Sequence, residues 1–122
     1  MSNSPVIRPA GRADIDIFAR GDAVPSIRAV CMEVDGKVIA LGGVAYAKGR
    51  WIGFCDLTPE ARRYKMRIMR AARRFLDEAR RDGIRFIYAG RDTDEPRSLA
   101  WLTSLGFVLD PRSQSLYRWS AK

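Results

Sequence analysis

The 122-residue chain contains no histidine. That removes Ser-His-Asp and Cys-His nucleophilic centres, and every zinc site built on imidazole. Proton transfer would fall to a carboxylate. Cys31 and Cys55 stand 24 positions apart with no CxxC motif. They read as reduced, buried small hydrophobes rather than a redox or metal pair, and no metal is expected. The densest run of reactive charge follows Thr58-Pro59-Glu60 and comprises Arg62, Arg63, Lys65 and Arg67. Cations in that number can hold a phosphate through their side chains. What they can reach depends on the element that carries them.

The net charge is +8, and 18 of the 22 basic residues are arginine. A GC-rich genome produces that skew with no function attached, so the charge speaks first to solubility. Nucleic-acid binding is a lesser reading, because no base-reading motif accompanies the arginines. With 47% hydrophobic and 30% charged residues, the chain reads as one globular domain over residues 1–122, with 1–4 flexible. Its length suffices for a core without disulfides. No run approaches the roughly 18 apolar residues that span a bilayer. Met1–Pro9 lacks the charged and apolar regions of a secretory signal. A cytoplasmic protein, or a component of a particle assembled in the cytoplasm, is expected.

The elements follow from periodicity and punctuation. Val6-Ile7-Arg8, between prolines, reads as a short edge strand. Arg12–Arg20 reads as a helix with Asp14 placed to cap it. Ile27–Val34 and Lys37–Tyr46 flank Asp35-Gly36, the strongest hairpin signal in the chain. Lys48-Gly49-Arg50 turns into a third strand, Trp51–Leu57, which completes a meander. Thr58, Pro59 and Glu60 then supply the N-cap, first-turn proline and first-turn acid of a long helix ending at Asp82-Gly83. Ala61, Tyr64, Ile68, Ala71, Ala72, Phe75 and Ala79 form its apolar stripe. Arg62, Arg63, Arg67, Arg70, Arg73, Arg74, Arg80 and Arg81 form the opposite arc, with Asp77–Arg81 as an i,i+4 pair. Ile84–Ala89 reads as a buried strand, Gly90–Glu95 as a loop and Pro96–Leu105 as a helix. Phe107–Leu109 and Ser115–Trp119 read as closing strands. The order β-α-βββ-α-β-α-ββ is an α+β, or mixed α/β, domain with a mostly antiparallel central sheet flanked by helices.

That order resembles the GNAT fold of N-acetyltransferases. Leu57-Thr58-Pro59-Glu60-Ala61-Arg62 is similar to the V-x-P-E-x-R entry to the family's acetyl-CoA segment. Asp82-Gly83-Ile84 is similar to its helix exit. Ser98–Phe107 is similar to its closing A-x-x-L-Y-x-x-L-G-F helix and strand. The resemblance covers nearly the whole chain from Val6. It implies acetyl-CoA as cofactor, held by the loop and helix start at Arg62, Arg63, Tyr64, Lys65, Met66 and Arg67. It implies backbone N–H groups of the third meander strand, around Phe54 and Leu57, on the acyl oxygen. It places Glu33 and Asp56 near the cleft as the carboxylates available for a general base.

Three departures from the family pattern bear on function. The family's R-x-x-G-x-G/A loop lets backbone N–H groups wrap a pyrophosphate at a helix N-terminus. The matching Arg62–Arg67 stretch has no glycine. Its apolar stripe is in phase from Ala61, which suggests a helix that starts at once. The family's acidic tyrosine aligns with Leu102, which has no proton to give, and the asparagine of some members falls near Glu95. Tyr88 and Tyr117 have no assigned place. Gly21–Ser26 leaves no room for the second helix that closes the acceptor pocket, so a homodimer could complete it.

These departures resemble those of small GNAT-like proteins of tailed bacteriophages, some of them virion components. The resulting expectation is a phage-encoded acetyltransferase-like protein with a degenerate acetyl-CoA site and weak or absent catalysis, acting as a structural or interaction protein. Trp51, Trp101 and Trp119 would be partner anchors if exposed. The alternative is an active N-acetyltransferase working by direct amine attack.

Overall fold

The computed structural model describes residues 5–19, 26–90, 98–113 and 115–121. Seven strands form one sheet in the order β1-β2-β3-β4-β5-β7-β6. They are β1 (Val6–Pro9), β2 (Ile27–Val34), β3 (Lys37–Ala47), β4 (Arg50–Leu57), β5 (Phe86–Gly90), β6 (Val108–Leu109) and β7 (Leu116–Ser120). The helices are α1 (Arg12–Ala19), α2 (Lys65–Arg81) and α3 (Ser98–Ser104), with a 3-10 segment over Pro59–Tyr64 ahead of α2. Pairing is antiparallel everywhere except between β4 and β5. The element order and the mixed α+β class match the sequence reading. Pro96, Glu95 and most of the Gly21–Ser26 connection lie outside the described residues.

The meander is built by two tight turns. Asp35-Gly36 has φ of 52° and 79°, and Lys48-Gly49 has 53° and 78°. Two successive left-handed residues match the right-handed twist of the joined strands, which explains the tight hairpins, and the β2–β3 register shifts by a bulge between Met32 and Glu33. The long helix ends as its punctuation requires: Asp82 donates its backbone N–H to Glu78 O, and Gly83 follows at φ 89°.

α2 packs through Ile68, Leu76 and Ala79, all buried. Leu76 is one position off the expected stripe, while Tyr64, Ala71, Ala72 and Phe75 are half-buried. The arginine arc is exposed as expected. Asp77 pairs with Arg80 at 3.1 Å, not with Arg81, so the contact is i,i+3. One core cluster joins Val44, Leu76, Ala79, Ile84, Ile87, Leu102, Phe107 and Trp119. A second joins Met32, Ile39, Ala40, Ala61 and Ile68, and Trp101 packs against both. Trp119 is buried at 4%, and Trp51 and Trp101 lie on the core. The tryptophans therefore hold the fold together and do not form an exposed anchor cluster. Of the cysteines, Cys31 is buried and Cys55 is exposed, and both are free. The expectation that both are buried fails at Cys55 because β4 reaches past the end of its β5 neighbour.

α1 is tied to the opposite sheet face by charge. Arg8 donates to Asp14 at 2.8 and 3.0 Å and to Glu33 at 3.3 Å. Asp14 also accepts the Gly11 N–H at 2.7 Å, so it caps α1 by reaching back from the first turn. The Arg8 hydrogen bond, then the Gly11 N–H, hold the Asp14 carboxyl at about 2, below its ordinary 3.8. Folding therefore favours the ionised form. That stabilisation is complete above the ordinary value and is lost as pH falls through about 2. Thermal melts of the wild type and Asp14→Asn are expected to differ at neutral pH and to converge toward pH 2. A gap that stays constant with pH would overturn this assignment.

Candidate functional site

The site suggested by the sequence lies where β4 leaves β5 and the chain enters α2. β4 is fully laddered to β3, from Arg50↔Ala47 to Leu57↔Ala40. On its other side it pairs in parallel with β5 at Ile52↔Tyr88. Among the described residues, the β4 segment beyond that bridge has no strand partner on the β5 side. Gly53 sits at the bridge because space there is short: a Cβ would stand 3.1 Å from Ile87 Cγ2. Past it, Phe54 is half-buried and Leu57 is 51% exposed, so this backbone borders an open edge.

The chain then turns through Thr58, whose hydroxyl donates to Ile39 O at 3.0 Å. Its side chain is thus spent on β3 and caps no helical N–H. The 3-10 segment begins at Pro59 and closes with Ala61 N–H donating to Thr58 O at 3.0 Å. Arg62 to Arg67 is 3-10 to Tyr64 and α from Lys65. No residue from 59 to 67 has a positive φ. Ala61 spends its N–H inside the 3-10 turn, whereas Tyr64 departs from helical geometry at φ −118° and ψ 24°, and no side chain caps the first N–H groups of α2. Glu60 stands in the first turn and pairs with Lys37 at 2.7 Å.

Arg62, Arg63, Lys65, Met66 and Arg67 are exposed, and Tyr64 packs half-buried against the second core cluster. Arg67 is separated from the others in function. It lines a groove that α2 makes with Ile7 and Val30 at the β1 edge of the sheet. Arg62, Arg63 and Lys65 do not line that groove.

Glu33 and Asp56 are not brought together. Glu33 is on β2 opposite Val38 and accepts from Arg8. Asp56 is at the exposed end of β4 opposite Leu41, two strands away. Two strand spacings alone separate them by about 10 Å. Glu33 belongs to the Arg8–Asp14 cluster, whose members are 6 and 25 residues apart. No periodicity or motif joins such positions, and the sequence reading missed Arg8 for that reason.

Cys55 was also missed as a surface group. Its sulfur lies over Gly42, 3.8 Å from where a Cβ there would stand. Although the residue is exposed at the sheet surface, its sulfur packs on the β3 backbone, and that desolvation, then the neighbouring Asp56, push its thiol up to about 11. It is thus protonated and a poor nucleophile at neutral pH. Leu102, the position aligned with the family's acidic tyrosine, is buried in the main core cluster. Tyr88 lies under the Arg50 guanidinium at 4.9 Å, and Tyr117 packs on the core.

No protein-family model matches this chain, and no curated protein does. Solved structures do. The ribosomal-protein-S18-alanine N-acetyltransferase of Escherichia coli superposes with a TM-score of 0.67 at 13% identity, covering 98% of this chain and 95% of that one. The yncA protein of Salmonella typhimurium, solved with its cofactor acetyl-CoA, gives 0.67 at 16% identity over 98% and 95%. A GNAT-family structure from Desulfovibrio desulfuricans gives 0.64 at 13% identity over 98% and 100%. The chain has the GNAT fold. At these identities the likeness speaks to architecture, and the chemistry has to be argued from the residues.

A GNAT fold implies acetyl-CoA, so the residues present must be tested against it. A pyrophosphate at a helix start needs converging, unspent backbone N–H groups. Here Pro59 has no N–H, Ala61 spends its own on Thr58, and Glu60 brings a carboxylate to the first turn, while the α-helix proper begins only at Lys65. The glycine-rich form of that cradle is missing, since residues 59–67 include no glycine and no positive φ. Among the described residues no group of His, Cys, Asp and Glu is arranged to hold a metal ion. No described helix is long and apolar enough to cross a membrane.

Proposed function

We propose that this chain is an acetyltransferase-like protein with a degenerate acetyl-CoA site and weak or absent catalysis, acting through a partner protein. One observation carries the reading: residues 59–67 hold no glycine and no positive φ, so side chains stand where a glycine-rich cradle would let its backbone approach a phosphate. The buried Leu102 agrees with it, since no proton donor replaces it in that position. The resemblance to small proteins of tailed bacteriophages extends the proposal to a phage-encoded protein, in the host cytoplasm or the virion.

A second reading is favoured by the open β4 edge and the three exposed cations Arg62, Arg63 and Lys65. In it, side chains hold the phosphates, and the chain is an N-acetyltransferase in which Asp56 or Glu33 serves as base. A second copy would close the acceptor pocket.

Acetyl-CoA titration by calorimetry separates the two. The first reading expects a Kd weaker than about 1 mM. Binding near 1 μM that requires the pyrophosphate, and that weakens roughly tenfold in Arg62→Ala or Lys65→Ala, would overturn it and establish the second.

A further inference from the structure

The groove between α2 and the β1 edge takes no part in the site at β4. It encloses about 270 Å³. Its floor is apolar, with Ile7 of β1, Val30 of β2 and Phe75 of α2. Its helix-side rim is basic, with Arg67, Arg70 and Arg74, and Glu78 closes one end. Among the described residues, no carboxylate lies within ion-pairing distance of these three arginines. The ion pairs near α2 are elsewhere: Lys37–Glu60 lies ahead of it, and Asp77–Arg80 and Arg28–Asp82 lie at its C-terminal end.

The uncompensated charge is local. α2 carries seven cations and two carboxylates. Alongside it, β1 is the edge strand, and Val6 and Ile7 are 51% and 43% exposed. Cations lined up beside exposed apolar surface call for a ligand that supplies both anions and an apolar group.

The rim sets the spacing of that ligand. Arg67 to Arg74 spans about 10 Å along a helix. An extended peptide covers this in about three residues, with alternate side chains on opposite sides. We propose that the groove docks an extended acidic segment of a partner protein. Two carboxylates two residues apart, about 7 Å, pair with two of these arginines at a time, and the apolar side chain between them covers Ile7 and Phe75. A nucleic-acid backbone fits less well, because the apolar floor of Ile7, Val30 and Phe75 offers it nothing. The inference goes beyond the reading of the cofactor site and does not depend on it.

The test is fluorescence anisotropy at physiological ionic strength, with a labelled synthetic peptide alternating glutamate and leucine. Binding is expected, with a loss of roughly tenfold or more in the Arg70→Glu/Arg74→Glu double variant. The same loss is expected when glutamine replaces the peptide's glutamates or serine replaces its leucines, measurements that leave the protein unaltered. Acetyl-CoA at millimolar concentration is expected not to compete. Absence of peptide binding, equal binding of the serine-substituted peptide, or tighter binding of short single-stranded or duplex DNA would each overturn the proposal.

Discussion

Trp119→Ala is expected to cost about 3–5 kcal/mol of folding stability. The indole is 4% exposed on β7 and belongs to the cluster that joins the sheet to α2 and α3. β7 sets it across from Ile87 of β5. The Arg80 guanidinium lies over its ring at 5.5 Å, and a Cβ on Gly106 would stand 3.6 Å from its Cδ1. Truncation removes the transfer energy of the ring and leaves a cavity between elements that the rest of the cluster fixes in place. Small domains have roughly 5–15 kcal/mol in total, so about a fifth or more of the stability is at stake. Urea unfolding measures it, and Trp119→Phe should retain most of the contact. A loss below about 1 kcal/mol would show that the cluster can collapse into the space.

Gly43→Ala is expected to destabilise the meander by about 3 kcal/mol, at the upper end of what overpacking costs. Gly43 of β3 pairs with Ala29 of β2. A Cβ at Gly43 would stand 2.1 Å from the Arg28 carbonyl oxygen and 2.6 Å from Ala29 Cα. Both are backbone atoms, so no rotamer relieves the contact and β2 must move. The adjacent Gly42 is the control, because its nearest atoms would be 3.6 and 3.8 Å away. Gly42→Ala should be nearly neutral. Equal unfolding free energies for the two variants would show that β2 shifts at little cost.

The Gly42-Gly43 pair shows where sequence reading stops. Both glycines sit in a strand-like run, and nothing local distinguishes them. Only the register that sets Gly43 against Ala29 makes one of them indispensable. The arginines of α2 are similar. Helical period places all of them on an exposed arc. The sheet edge beside Arg67, Arg70 and Arg74 is what turns part of that arc into the wall of a groove. Leu76 is buried while Phe75 is half-buried, a choice the helical period alone does not make.

The sequence by itself determined the element order, both hairpin turns, the end of α2 and the absence of imidazole chemistry. These rest on local causes: left-handed residues in turns, a helical apolar period, and residue types that are present or missing. It also pointed to a helix starting at Pro59, since the apolar stripe is in phase from Ala61, but the chain opens there with a 3-10 segment and the α-helix begins only at Lys65. Tertiary structure alone decided which charges meet. Arg8, Asp14 and Glu33 come together because β1 pairs with β2 while α1 folds back over them. Glu33 and Asp56 stay apart because β3 lies between their strands. Such contacts join residues tens of positions apart, and their energies come from packing that no local pattern encodes.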